Sequence, residues 1–256
     1  MTNLSYVSDE LTHFVGRSLP DHQSRYALLH EILRTGWLKA SHRDQLGPGF
    51  VGQSDGRKAL SGNDAIKCTS VCFCDIPVTT LATHMKKYGP FGVAFDKRIM
   101  LHSGATPVHY VASNARHRGV SVEPKTVGDW FDQLRKEIQT FAHDLGSYVA
   151  SHDGSPRFLF KRSPPDTPQG HRLMGQFSAL QNDLEYLVFG QLKFFTIGLA
   201  ADDLDNFYME REWRVPEGFA FRLDDIARVI VPSEFADELR SDVPDYSGPI
   251  TIAEEA

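Results

Sequence analysis

Apolar residues recur at intervals of three and four in the first part of the chain, which is the spacing of a helix with one buried face. The clearest run begins after Asp21, a residue type that caps helix N-termini, and stops before Gly36, a residue type that ends helices. We expect a helix between these two residues. Its buried face should carry Tyr26, Leu29, Ile32 and Leu33.

The same spacing predicts two longer helices later in the chain, over 126–145 with Gly146 as the stop, and over 171–189. Shorter helices are indicated over 78–87 and after Ser233, which is a suitable capping residue. The aromatic residues of 126–145 fall on one helix face, an arrangement typical of packing in a core.

Between the helices lie short segments in which apolar residues alternate with polar ones or run together, as in β-strands. The segment KCTSVCFCDIP is one such apolar run, and alternation places Ser70, Cys72 and Cys74 on one face of its strand. Further strands are predicted at 11–15, 92–95, 107–112, 191–199, 219–223 and 229–231. Helices inserted among many short strands indicate an α+β fold.

Two segments rich in glycine, proline and polar residues, 41–64 and 146–170, are predicted to be exposed loops or insertions. No internal repeat is visible, and the length suits one large domain or two small ones. We expect a single domain over 1–256.

The composition is that of an ordinary globular protein, with 41% hydrophobic and 23% charged residues and a net charge of −6. The negative charge disfavours broad binding to a phosphate backbone, although a local basic groove remains compatible with it. No apolar run is long enough to span a bilayer, and the first residues lack the pattern of a secretory signal. We therefore expect a cytoplasmic protein without a membrane partner.

The three cysteines, Cys68, Cys72 and Cys74, lie within seven residues on what reads as one strand. An odd number favours free thiols in a reducing compartment over a disulfide framework. A second ligand pair of the kind a zinc ribbon needs is missing downstream, and His13 or His84 would complete a site only by tertiary coincidence, so we expect no metal. We interpret Cys72 and Cys74 as small buried residues.

The stretch NFYMEREWRVP, residues 206–216, carries the strongest candidate chemistry. As a strand, it would place Glu210, Glu212 and Arg214 on one face. Two unpaired carboxylates there would repel each other and raise at least one pKa, which suits them to position a hydroxyl or stabilise a developing cation. The alternative is structural, with each glutamate paired to an arginine such as Arg211 or Arg214.

Several motifs together resemble the AbiGi family of abortive phage resistance proteins. The resemblance extends roughly over residues 8–235, and its most specific pieces are CFCDIP and EREWR. It implies a role in bacterial phage defence, as the antitoxin partner of a two-gene system, and therefore a toxin as partner. The motifs are HF at 13–14, VCFCDIP, HMKKYGPFGVAF, PVHYV, FYMEREWRVP and FRLDDIARVIVPSE.

A more distant resemblance is to ADP-ribosyltransferase folds, which have a split mixed β-sheet core with peripheral helices. His13 on an early strand and the E-x-E form of Glu210-Arg211-Glu212 are similar to that superfamily's motifs. The strand 70–74 is similar to its serine-rich second strand, except that cysteines replace two of the expected small polar residues. This resemblance implies that NAD is the substrate and that the acceptor of ADP-ribose is a nucleic acid, a protein or water.

The implied site consists of catalytic and NAD-binding residues. Glu212 would stabilise the oxocarbenium-like centre, His13 would hold the other ribose or the phosphates, and Glu210 would orient the acceptor. The residues expected to bind NAD are His13, Arg17, Ser70, Cys72, Tyr88 and Arg214.

Two other functions compete with this one. In the first, the protein is a non-catalytic antitoxin or regulator that neutralises a toxin, and its glutamates only stabilise the fold. In the second, it is a metal-dependent nuclease, although carboxylates with metal-ligand spacing are not otherwise evident. The nuclease would use Asp75, His84, Glu210 and Glu212.

Overall fold

The computed structural model describes residues 8–41, 52–116, 126–152, 168–200, 203 and 205–253. The chain divides into two compact units. Unit 1 comprises Met1–Val51, Cys68–Val108 and Leu199–Ala256, and unit 2 comprises Gly52–Lys67 and His109–Gly198. The single domain over 1–256 stays a prediction.

Short strands and a few helices alternate irregularly along the described residues. The strands are β1 (Glu10–Phe14), β2 (Trp37–Lys39), β3 (Gly52–Ser54), β4 (Ile66–Cys68), β5 (Ser70–Cys74), β6 (Gly92–Asp96), β7 (Thr106–Pro107), β8 (His109–Ala112), β9 (Leu192–Phe195), β10 (Glu212–Pro216), β11 (Gly218–Ala220), β12 (Ile226–Pro232) and β13 (Ile250–Ala253). The α-helices are α1 (His22–Thr35), α2 (Ala82–Tyr88), α3 (Lys97–His102), α4 (Val127–His152), α5 (Pro168–Asn182) and α6 (Ala236–Asp242).

Unit 1 is built on a seven-stranded mixed sheet with the order β13-β12-β6-β1-β5-β10-β7. Neighbouring strands are antiparallel except for β12 and β13, which are parallel. A large mixed sheet accompanied by helices confirms the predicted α+β class.

The central strand β1 pairs unequally with its two neighbours. Its pairing with β6 extends from Glu10–Asp96 to Phe14–Gly92. Its pairing with β5, by contrast, is the single position Thr12–Cys74. The ladder of the sheet is therefore weakest between β1 and β5, beside the strand that carries the cysteines.

Alternation along the strands gives unit 1 two apolar layers. One face of the sheet presents residues such as Leu11, Phe73 and Val93 to the main core, against which α1 packs. The opposite face presents Cys74 and Ile230 to a smaller cluster.

The predicted helix between Asp21 and Gly36 is confirmed as α1. Asp21 accepts a hydrogen bond from the Ser24 backbone N–H at 2.7 Å, and Gly36 closes the helix in the left-handed conformation.

Unit 2 has its own small core. Leu60, Ala65, Phe189 and Phe194 pack together, with Phe131 of α4 against them. Unit 2 also contains a buried ion pair, in which Arg135 Nη2 of α4 lies 3.1 Å from Glu185 Oε2. Glu185 belongs to a π-helical segment that spans Asp183–Val188.

Several predicted element bounds are wrong. Helix α4 continues through Gly146 to His152, and α5 begins at Pro168, so the ends of the predicted loop 146–170 are helical. A glycine inside a helix costs only about 1 kcal/mol relative to alanine, which the packing of a long amphipathic helix overcomes. Residues 153–167 of this prediction lie outside the described part of the chain.

The predicted loop 41–64 is also only partly correct. Its residues 42–51 lie outside the described part, but 52–54 form β3, and Leu60 is buried in a short 3₁₀ helix. The predicted strand 107–112 is divided at Val108 into two strands, β7 and β8. Strand β7 belongs to the seven-stranded sheet, and β8 pairs with β9 in a separate sheet. Strand β13 was not predicted.

Candidate functional site

The stretch 206–216 is not one strand. Phe207–Glu210 forms a 3₁₀ turn, Arg211 takes a left-handed conformation with φ of 45°, and β10 begins only at Glu212. The prediction that Glu210 and Glu212 share a strand face is therefore wrong. A non-glycine residue with positive φ is uncommon and interrupts the alternation of a strand. Glu210 therefore belongs to the 3₁₀ turn, whereas Glu212 is the first residue of β10.

Glu210 is buried and bonded to α2. Its Oε1 accepts hydrogen bonds from Lys87 Nζ at 2.7 Å and from the Tyr88 hydroxyl at 2.5 Å. Burial raises the pKa of Tyr88, and the negative charge of Glu210 raises it further, so the phenol stays protonated and donates. Lys87 also lies over the Phe207 ring, with Nζ 4.5 Å from the centroid.

Glu212 is also buried, and it pairs with Arg214 two residues along the same strand. Arg214 Nε donates to Glu212 Oε1 at 2.7 Å. Although burial acts to lower the pKa of Arg214, the adjacent carboxylate outweighs it and the pKa is raised. The structural alternative of a paired glutamate is thus the arrangement seen at Glu212.

The cysteine strand lies directly beside this pair. Cross-strand partners share a face, and Glu212 lies opposite Cys74 while Arg214 lies opposite Cys72. Ser70 is buried on the same face, with Oγ 4.0 Å from the Cys72 sulfur.

The cysteine predictions hold only in part. Cys72 is exposed, so its interpretation as a buried residue is wrong, whereas Cys74 is buried and free. Burial and the charge of Glu210 raise the pKa of Cys74 to about 12, which leaves this thiol protonated and unreactive at neutral pH. Cys68 ends β4 and therefore does not share the strand of the other two.

Tyr88 lies between an aromatic ring and a cation. Its ring stacks on Phe14 with the centroids 5.8 Å apart, and the Arg17 guanidinium lies 5.1 Å from its centroid. Tyr88 and Arg17, both predicted to bind NAD, thus lie together next to Glu210.

His13 differs from the other predicted site residues. Thr12 is the partner of Cys74, so alternation places the next residue, His13, on the opposite face of β1 from the Glu212 side. Its Nδ1 lies 2.8 Å from the Cys72 carbonyl oxygen, which makes Nδ1 the donor. Desolvation lowers the pKa of His13, while the carbonyl acts to raise it.

The residues of the nuclease alternative have structural partners. Asp75 pairs with Lys97 at 2.9 Å and with Arg211 at 3.3 Å, and His84 Nε2 contacts the Met209 carbonyl at 3.2 Å. Among the described residues, no group of three or more His, Cys, Asp and Glu side chains has an arrangement that could hold a metal ion.

The structure therefore gathers Tyr88, Glu210, Glu212, Arg214 and Cys72 around the start of β10 and places His13 across the sheet. Lys87, which the sequence analysis did not include, is a central member. The signal for it was its position beside Tyr88 on a predicted helix. No helix of the described chain has the length and apolarity needed to cross a membrane.

The fold and this cluster define an α+β protein whose buried carboxylates are held by cations at one end of a mixed sheet. Residues 63–241 match the family model described as "Putative abortive phage resistance protein AbiGi, antitoxin". The chain belongs to this family, which confirms the resemblance to AbiGi proteins. No curated protein and no solved structure matches the chain.

Proposed function

We propose that this chain is the antitoxin of an abortive phage-resistance system and neutralises a partner toxin by binding it. The family description supports this function. The observation that carries it is the bonded state of both glutamates: Glu212 accepts from Arg214, and Glu210 accepts from Lys87 and Tyr88. Buried charges that already have partners serve the fold without requiring a substrate.

Expression in bacteria tests the antitoxin function. The gene encoded next to this one should arrest growth when expressed alone, and co-expression of this chain should restore growth. The two proteins should also co-purify. If this chain itself arrests growth and the neighbouring gene relieves the arrest, the roles are reversed and the proposal fails.

A second candidate function is binding of NAD, with transfer of ADP-ribose or hydrolysis. The observation that favours it is the proximity of Tyr88, Arg214 and Cys72 to the two glutamates, since all were expected to line an NAD site. A carboxylate has about four acceptor positions, so Glu212 can bond Arg214 and still accept a ribose hydroxyl.

In this reaction the bond between C1′ of the ribose and the nicotinamide nitrogen breaks, and nicotinamide leaves with the electron pair. A new bond forms between C1′ and an oxygen or nitrogen of the acceptor, whose proton is released. Glu212 would stabilise the positive charge at C1′, and Glu210 would orient the acceptor. The separation of His13 from Glu212 by the sheet weighs against a joint role for these two residues.

Labelled NAD tests this candidate. The purified chain is incubated with NAD and with DNA, RNA or cell lysate, alongside the Glu212→Gln variant. Nicotinamide release that the variant lacks would support NAD chemistry. Absence of nicotinamide release, of a labelled acceptor and of any thermal shift with NAD would exclude it.

A further inference from the structure

The side chain of Arg25, on α1, runs between two glycines of unit 1. A Cβ atom at Gly16 would lie 2.8 Å from Arg25 Cγ, and one at Gly89 would lie 2.8 Å from Arg25 Nη1. Both glycines have positive φ, 78° and 95°. Both glycines thus lie against the Arg25 side chain, and their positive φ favours glycine at these two positions.

One side of the Arg25 guanidinium is fixed by the backbone. Its Nε and Nη2 donate to the Leu19 carbonyl at 3.1 and 3.0 Å. Its Nη1 faces Gly89 and has no hydrogen-bond acceptor among the residues that the structure describes. The acidic neighbour Asp21 accepts bonds from Ser24 as the cap of α1. Arg25 is therefore held in place while the two N–H donors of Nη1 and the second N–H of Nη2 remain for a ligand.

A second guanidinium lies at the same turn. Arg17 follows Gly16, is exposed, and stacks over Tyr88, which precedes Gly89. Within the described part of the chain Arg17 also has no carboxylate partner. The nearby carboxylate of Glu210 is already bonded to Lys87. Two arginine side chains thus border the turn Tyr88–Gly89. Among the described residues neither forms a salt bridge with a carboxylate, although the charge of Asp21 acts on Arg25 at longer range.

We propose that Arg17 and Arg25 form an anion-binding corner that holds the pyrophosphate of a nucleotide. This inference rests on the second candidate function and names the part of the ligand that the corner recognises. Guanidinium groups match phosphate oxygens in geometry and donate paired hydrogen bonds to them. A fixed Arg25 loses less side-chain entropy on binding than a mobile surface arginine.

Assigning the pyrophosphate to Arg17 and Arg25 changes the roles expected of Arg214 and Arg25. Arg214 is among the residues that the sequence predicts to bind NAD, but its Nε donates to Glu212. Arg25, which the sequence analysis did not single out, takes that role together with Arg17. Tyr88 lies between this corner and Glu210, so a nucleotide bound there would extend from the arginines toward the buried carboxylates.

Calorimetric titration tests the corner with inorganic pyrophosphate, ADP-ribose and NAD as separate ligands at constant ionic strength. The variants are Arg25→Gln and Arg17→Gln, and Arg34→Gln is the matched control because Arg34 is an exposed arginine of α1 paired with Glu31. We expect each corner variant to weaken ADP-ribose binding about tenfold or more, as the loss of one charge-assisted contact implies, and the control to bind normally.

The outcomes separate the corner from the reaction. If pyrophosphate and ADP-ribose bind through Arg25 but NAD is not consumed, the corner stands and the NAD chemistry fails. If NAD is bound and both variants bind it as the wild type does, the corner is wrong while the NAD function survives. Wild-type protein that binds none of the three ligands, or that binds RNA in preference to them, overturns the corner. Should Arg25→Gln not fold, the exposed Arg17→Gln decides.

Discussion

Glu212 and Arg214 bring opposite charges together where water is scarce, since their side chains are only 8% and 14% exposed. In such a setting the pair gains less than its Coulomb attraction suggests, because both charges lose hydration. Removing one charge is costly all the same, because the remaining buried charge loses the partner that lies 2.7 Å away. The effect of a Glu212 substitution on the free energy of unfolding therefore shows whether the Glu212–Arg214 pair stabilises the fold.

We expect Glu212→Gln to lower the free energy of unfolding by about 3 kcal/mol, because Arg214 keeps its buried charge and loses the carboxylate. Urea unfolding measures the change. The control is Glu31→Gln, which breaks an exposed, solvent-screened pair with Arg34 and should leave the stability nearly unchanged. Unaltered stability of Glu212→Gln, with loss of NAD turnover, would instead favour the catalytic function.

His84 predicts a dependence of stability on pH. Burial lowers its pKa from the ordinary 6.5, with smaller opposing effects of the Met209 carbonyl and Glu210, and Lys87 acts in the same direction as burial. Its buried Nδ1 has no hydrogen-bond partner in the part of the chain that the structure describes, so a proton there gains no acceptor from those residues. Between the lowered pKa of His84 in the folded chain and the value of 6.5 in the unfolded chain, the unfolded chain binds more protons. The contribution of His84 to the free energy of unfolding is therefore fully present above about pH 7 and decreases as the pH falls through 6.5.

Urea midpoints measured from pH 8 to pH 5 test this dependence. His84→Gln lacks the titrating group and should give a shallower decline. His13, whose pKa is also lowered, accounts for part of the slope that remains. Equal slopes for the wild type and the variant would show that His84 does not titrate in this range.

At the scale of elements, the turn after α1 depends on Gly36. Its φ is 62°, and a Cβ atom there would lie 2.5 Å from the Phe221 carbonyl oxygen, which is backbone and cannot move aside cheaply. We expect Gly36→Ala to cost about 2 kcal/mol or more, from the left-handed conformation and the clash together.

A glycine in an open environment supplies the comparison. Gly175 lies inside α5, and apart from its own helix backbone and its chain neighbours no atom of the described residues lies within 4 Å of the position its Cβ would take. Gly175→Ala should therefore stabilise the protein by up to about 1 kcal/mol through helix propensity. Thermal unfolding of the two variants should shift the midpoint in opposite directions, and a common direction would contradict both assignments.

These elements also show what the sequence could reveal. Local signals were sufficient for α1, because Asp21 and Gly36 mark both of its ends in a few residues. They failed for EREWR, because Arg211 adopts a positive φ and contacts Asp75, which lies far away in the sequence. Local signals also could not predict on which face His13 lies relative to Glu212, because this depends on the register of β1 and β5. The motifs and their order indicate candidate residues, and the pairing of the strands determines which of these residues lie close together.

On the scale of the whole molecule, Arg135 connects the two sequence segments that make up unit 2. Its guanidinium bonds Glu185, Ser54 and the carbonyls of Asp55 and Lys58. Arg135 is 2% exposed. One side chain thereby fixes segments that are separated along the chain by part of unit 1.

We expect Arg135→Met to lower the free energy of unfolding by about 3–5 kcal/mol, since Glu185 would keep a buried charge without its guanidinium. The double variant Arg135→Met, Glu185→Leu should recover part of the loss, because it removes both charges. A double-mutant cycle in urea measures the coupling. If the double variant is no more stable than the single one, the pair is not the source of the effect.

The strand order of the large sheet has a consequence for the chain as it is synthesised. Strands β1, β5 and β6 are made within the first 96 residues, whereas β10 and β12, which cover the outer sides of β5 and β6, follow residue 211. Until then the emerging chain presents the unpaired edges of β5 and β6, two largely buried strands of the finished sheet. Exposed apolar edges invite pairing with other chains. The nascent protein thus passes through a long interval in which chaperones, or the strand of a binding partner, have access to backbone that the completed fold conceals.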